Sequence, residues 1–340
     1  MTTLETTRQR MVYSHTIGLS TMEGRGFYYP VDTVCHSDGK LYTISRSLEG
    51  DVRGVRVTIY DIDSEYYGTF SEFGEGAGQF IWPVAITQNS QGHVYISDED
   101  KNVVTGFDTS GAIINHWGET GSAHGQLDGP AGMAFDANDR LYVADQHNHR
   151  VQVFTPEGEF VASYGSQGSG EGQFGLPWGI TVGPDGFLYI ADWQNDRIQK
   201  LSLDGEYVRS FGRSGRRDGE LHRPSGVAVD TEGYVYVSDW GNERVVIFDA
   251  DGGLVQNIRG EATDSKWAEA FLSINLEEAA ARERANMEPE IDFFVDDPHE
   301  VSSHIEKYFW APTSIKLDGE GRMYVTESNR HRVQIYKRNG

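Results

Sequence analysis

The chain has 340 residues, with 52 Asp and Glu against 29 Lys and Arg and a formal net charge of −23. So acidic a surface repels phosphate, which argues against a nucleic-acid partner. "MTTLETTRQRMVYSHTIGLS" has no charged-then-apolar leader pattern, no apolar run is long enough to span a bilayer, and Cys35 stands alone, so a cytoplasmic protein with no membrane partner is expected.

Along the chain, "RMVYSHTIG" comes first, a strand-like segment with no obvious neighbour. "YPVDTVCHSDGKLYTISRS" follows, two short apolar runs around a turn, and variants of it return five times. Its proline recurs as Pro30, Pro83, Pro130, Pro177, Pro224 and Pro312, in step with Tyr42, Tyr95, Tyr142, Tyr189, Tyr236 and Tyr324. Both series advance by 53, 47, 47, 47 and 88 residues. Six repeats with a period in the forties predict a ring of four-stranded blades.

In the fourth repeat "LPWGITV" starts strand A, "FLYIAD" is B, "IQKLSL" is C and "YVRSFG" is D. The sixth repeat stops at "VQIYKRNG" without a strand D. The N-terminal segment is predicted to supply it, closing the ring and removing its exposed edges. The expectation is therefore all-β, one six-bladed β-propeller of antiparallel blades over residues 1–340.

The frame Pro-x-Gly, apolar strand, Asp-x-x-Gly, Tyr-[Val/Ile]-[Ala/Ser]-Asp, Asn-x-Arg is fullest in "YVADQHNHR", "YIADWQNDR" and "YVSDWGNER". It resembles the NHL-repeat family. Repeats one and two depart from it, with Ser45 in place of the Asp and "DEDKNVV" without the Asn-x-Arg phase. The acids Asp98, Asp145, Asp192, Asp239 and Glu327 recur once per blade, as do Arg150, Arg197, Arg244 and Arg332. Features repeated in every blade are expected to tie turns together rather than to do chemistry once.

The chain is also distantly similar to the peptidyl-α-hydroxyglycine α-amidating lyases, which are six-bladed NHL-like propellers. That resemblance implies zinc held by three histidines one residue past strand-A prolines. Here those positions are Val31, Val84, Ala131, Trp178, Ser225 and Thr313, none of which can replace an imidazole, so no zinc or other cofactor is expected. The resemblance also implies a catalytic Tyr in a B–C turn, where this chain has His147 or Gln194. His147 is the candidate general acid or base, set against its plainer reading as a solvated turn histidine.

Two departures from the period mark a face. "SLEGDVRGV" lengthens the first repeat by 6 residues, and the fifth interval is 41 residues longer than its neighbours. The first lies in a B–C connection and the second in a D–A connection, and both connections emerge on one face of a propeller. Trp82, Trp178, Trp193, Trp240, Trp310 and Tyr29 map to that face, with Arg46 in the lengthened connection and His222 and Arg223 just before the fifth strand A. These nine are the candidate ligand-binding residues. The insertion, residues 261–309, is read as helical. Trp267, Phe271 and Ile274 form one apolar stripe from Asp264 onward. Asp297 with Pro298 and Glu300 forms a capping box ahead of Val301, Ile305 and Tyr308. "HEVSSH" is one residue too long to place two zinc ligands on one helix face.

The expected function is binding of a small, partly apolar ligand on the insertion-bearing face near the central channel, with lyase, hydrolase or isomerase chemistry in view. The alternative is a non-catalytic scaffold that docks a protein partner. The insertion would serve as a lid in the first case and as the partner surface in the second.

Overall fold

The computed structural model describes residues 10–48, 52–292 and 296–339. Residues 1–9, 49–51, 293–295 and 340 lie outside it, and with them parts of the expected domain, of the first-repeat bulge and of the insertion. The described strands form six four-stranded antiparallel sheets. Blade 4 has strands A (Pro177–Val182), B (Phe187–Asp192), C (Arg197–Ser202) and D (Tyr207–Phe211). Blade 6 takes its first three strands from Pro312–Leu317, Met323–Glu327 and Arg332–Arg338, and its fourth from Met11–Gly18. That closing strand runs antiparallel from Met11 opposite Arg338 to Gly18 opposite Arg332. The ring closes as the unpaired N-terminal segment predicted.

Each strand A starts at its proline, and its register with strand B shifts immediately afterwards. Proline has no N–H to give a ladder, so it is tolerated at a first residue or a bulge. The glycine two places on has a different cause. A Cβ on Gly132 would lie 2.4 Å from the Trp178 carbonyl oxygen, and one on Gly179 would lie 2.4 Å from that of Ser225. Neighbouring A strands come that close around the axis, which explains Pro-x-Gly.

Between blades, the strand-B tyrosines are all 2% exposed or less. Five of their hydroxyls reach an aspartate of the A–B turn, as in Tyr189 to Asp185 at 2.8 Å and Tyr324 to Asp318 at 2.8 Å, while that of Tyr95 accepts from Asn115 at 3.0 Å. A second buried layer stands three residues before each proline: Phe27, Phe80, Leu127, Phe174, Leu221 and Phe309, all 0% exposed. The acid closing strand B then secures the loop between blades. Asp98, Asp145, Asp192, Asp239 and Glu327 accept the backbone N–H of Ile81, Asp128, Gly175, His222 and Trp310 at 2.7, 2.8, 2.8, 2.7 and 3.1 Å. Arg150, Arg197, Arg244 and Arg332 donate Nε to the same acids at 2.7, 3.1, 2.8 and 2.8 Å. The repeated acids and arginines are turn ties.

The insertion holds three short helices, α1 (Lys266–Ile274), α2 (Leu276–Arg284) and α3 (Pro298–His304). The N-cap of α1 is Ser265, and Asn275 divides the expected single run in two. The predicted stripe does not hold. Trp267 is 1% exposed, whereas Phe271 and Ile274 are 41% and 80% exposed. The reason is that α1 docks by its first turn alone. The Trp267 ring wedges between Phe27 and Tyr60, and its Nε1 donates to the Ser64 carbonyl at 2.7 Å. Asp297 caps α3 by accepting the His299 N–H at 3.0 Å, but the helix ends before Ile305 and Tyr308, and its buried residue is Ser302. No helix among the described residues is long and apolar enough to cross a membrane.

Candidate functional site

In each blade a backbone N–H just past strand B bonds the carbonyl just before strand A, as from Arg46 to Tyr29, Trp193 to Leu176 and Ser328 to Ala311, each at 3.0 Å. The B–C turns and the strand-A entries therefore share a face, and every candidate residue is on it. A second set of bonds joins neighbouring blades there. The residue just before the strand-C arginine in the B–C turns of blades 4, 5 and 6 has positive φ: 54° at Asp196, 52° at Glu243 and 52° at His331. This left-handed conformation aims the side chain at the next blade. Asp196 accepts the Arg223 N–H at 2.7 Å, Glu243 that of Ala311 at 2.6 Å and His331 that of Tyr29 at 2.9 Å. Sequence reasoning missed this belt, although its signal was in plain view as the variable letter of Asn-x-Arg.

At the axis the six A strands enclose a void of about 520 Å³, part of it open to solvent. Two of the ten candidate site residues line it, Trp178 and Arg46. Trp178 packs against a cluster of Val84, Ala131 and Ala144 from the two preceding blades. Arg46 donates Nε to the Pro83 carbonyl at 2.6 Å, and its guanidinium lies 4.7 Å over the Trp82 ring. Burial pulls its pKa down to about 10, against the pull of Glu99 and Asp98. None of the hydrogen bonds or ion pairs found among the described residues uses its two terminal nitrogens. Asp32 and Lys316 also line the void, 3.3 Å apart. Asp32 is buried and accepts the N–H of Ile86 at 2.9 Å, which holds it in place.

The other candidates form separate groups. Trp193 and Trp240 lie 6.4 Å apart, centroid to centroid, with the exposed Arg223 4.7 Å over Trp193 and His222 3.4 Å from Asp196. Trp310 donates Nε1 to His299 Nε2 at 3.1 Å, and His299 Nδ1 meets Glu243 at 2.6 Å. Burial pushes the Glu243 carboxyl up to about 7, and the His299 bond opposes that rise. Tyr29 stands edge-on to His331, whose pKa burial lowers to about 4. His147 is exposed, bonded to Asp128 at 3.0 Å, and does not line the void.

No described residue of 261–309 lines the void either; α1 sits at the junction of blades 6 and 1, and α3 against the Trp240–Asn242 turn. Among the described residues no three of His, Cys, Asp and Glu gather closely enough to hold a metal ion. Sequence reasoning did not single out Asp32, Lys316, Glu243 or His331 for the face. Each is an ordinary polar letter until the ring gives it a neighbour.

Residues 127–154 match the NHL repeat, and residues 171–265 match the SMP-30/Gluconolactonase/LRE-like region. A streptogramin B lyase structure is similar at 12% identity with a TM-score of 0.56, covering 97% of this chain and 98% of that one. A catalytically inactive virginiamycin B lyase from Staphylococcus aureus, solved with quinupristin, gives 12% identity, 0.56, 95% and 98%. A structural genomics protein of unknown function from Bacteroides thetaiotaomicron gives 17%, 0.61, 98% and 76%. These likenesses establish the fold. No curated protein sequence matches the chain.

Proposed function

We propose that this NHL-type six-bladed propeller binds a small molecule with an anionic group and an apolar body at the mouth of its central channel. Arg46 carries the reading. Its guanidinium is held by Pro83 and stacked on Trp82, which leaves two terminal nitrogens for a carboxylate or phosphate-like oxygen pair. Trp178 and Val84 offer the apolar wall beside it. In a protein of net charge −23, a cation lining the channel gives an anion one favourable place to go. Solved propeller lyases of this architecture, one of them with quinupristin, are in keeping with small-molecule chemistry on such a ring. Lyase, hydrolase or isomerase turnover would need a proton-transfer group at the void, and Asp32 and Lys316 are placed for that better than His147. The setting is read as cytoplasmic, with Cys35 a half-buried thiol whose pKa is raised by desolvation.

The test is a thermal-shift screen of paired carboxylates and their neutral amides against the wild type and Arg46→Gln. Acids should raise the wild-type melting temperature, amides should not, and the variant should lose the response. Hits that bind the variant equally well would remove the reading. One observation favours the scaffold alternative: Phe271, Ile274 and Leu276 are 41%, 80% and 73% exposed on adjoining helices. A partner that is lost on Ile274→Asp while acid binding at Arg46 persists would establish it as a second activity.

A further inference from the structure

Blade 1 breaks the turn tie that blades 3 to 6 keep. In blades 3 to 6 a buried acid at the end of strand B receives the Nε–H of the arginine opposite it in strand C. In blades 3, 4 and 6 a glutamine two residues beyond that arginine also donates to the acid, at 2.9, 3.3 and 2.7 Å from Gln152, Gln199 and Gln334. Blade 1 keeps the arginine. Arg56 stands opposite Ser45 in the same ladder position as Arg150 opposite Asp145. The acid, however, has become Ser45 and the glutamine Thr58.

Both replacements are shorter, which withdraws the side chains that occupy the place beside the guanidinium in blades 3, 4 and 6. Both groups bordering it are buried, Ser45 at 0% and Arg56 at 5% exposure. The Ser45 hydroxyl and Arg56 Nε are also among the few buried polar atoms with no hydrogen-bond partner. The terminal nitrogens of Arg56 are used on carbonyls, those of Met22, Thr21 and Gly26. Thr58 likewise turns its hydroxyl to the Gly26 carbonyl at 3.3 Å. No carboxylate among the described residues forms an ion pair with this guanidinium, and burial lowers its pKa.

We propose that blade 1 binds a small monovalent anion, of the chloride class, between Ser45 Oγ and Arg56 Nε. The anion replaces the missing carboxylate. It accepts the Nε–H and the serine O–H, two donors whose burial unpaired is costly. It also neutralises a buried guanidinium, which a water molecule in the same place would not do. The site lies within the blade, on residues distinct from the channel void. It therefore stands or falls independently of the ligand reading.

Bromide is the probe. Full-length protein crystallised without chloride and soaked in sodium bromide should show an anomalous peak in contact with both Arg56 Nε and Ser45 Oγ. In solution the wild type should melt several degrees higher in sodium chloride than in sodium gluconate at equal ionic strength. Ser45→Asp restores the residue used by four other blades, so it should fold, melt alike in both salts and lose the bromide peak. Bromide found elsewhere only, as an adventitious ion, would overturn the proposal. So would a water or a carboxylate of the chain itself in that position, or a Ser45→Asp protein as chloride-sensitive as the wild type.

Discussion

Five of the six D–A junctions are short glycine-rich loops, and the sixth carries the helices. Each short loop crosses itself in a single parallel bridge, such as Gln167 with Phe174 or Ser214 with Leu221. The long junction nevertheless ends as the others do. Phe309 fills the slot held by Phe174 and Leu221, and Arg332 reaches the Tyr308 carbonyl at 2.9 Å as Arg197 reaches that of Gln173 at 2.9 Å. A blade thus needs the few residues before its proline, and the rest of the junction can be exchanged. The helices are a graft on an intact frame, with Trp267 as their main anchor in the core.

The largest test asks whether the ring or its junctions hold the protein together. Removing residues 1–18 takes away the fourth strand of blade 6 and leaves an open edge. Circular dichroism should show loss of the cooperative transition, and size exclusion should show association. A truncated monomer that melts like the wild type would mean closure contributes nothing.

Next, Phe309→Ala and Phe174→Ala should each cost about 3–5 kcal/mol in urea unfolding, the usual loss for a large buried aromatic. A silent Phe309→Ala would break the likeness between the two kinds of junction. Trp267→Ala should have a smaller effect on the ring. It should expose residues 266–304 to protease while the β-sheet transition moves less than in Phe309→Ala.

The smallest effect sharpens the contrast by pH. Glu243 is faced by His299 from α3, by Glu327, and by Arg259 and Arg330 at longer range. Its folded pKa, about 7, is above the ordinary value of 4.5, so the folded state keeps this proton longer than the unfolded chain. That contribution is complete below about pH 4.5 and is lost as pH rises towards 7. Glu243→Gln should flatten the stability profile across that window, leaving the shallower fall from Asp239, which is pushed up to about 6. An unchanged slope would show that the Glu243 carboxyl does not titrate in that window.

The ring was legible because a blade writes itself six times. Pro177, Tyr189 and Asp192 each recur in phase, and recurrence exposes the frame even where single letters vary, as at Ser45. The face was legible too, since strand order alone sends Arg46, Trp178 and Trp310 to one side. The grouping on that face was not. Ten candidate site residues became one channel pair, one Trp82 stack and several separate clusters, because angular position around a ring has no counterpart in linear spacing. The helix stripe failed for a related reason. Periodicity tells which side of a helix is apolar, and Ile274 is on that side, but the wedge at Trp267 decides how much of it meets the barrel.

By itself the sequence determined the number of blades, their strand order, the closing segment and the face on which the candidate residues lie. All of these follow from repeated local patterns of turn, alternation and proline. Only the tertiary structure decided which side chains meet. Glu243 with Ala311, Asp32 with Lys316 and the Tyr29–His331 contact join residues 68, 284 and 302 apart in the chain. The strand-A approach at Gly132 is likewise a product of ring closure, which sets distances between blades that no single repeat contains.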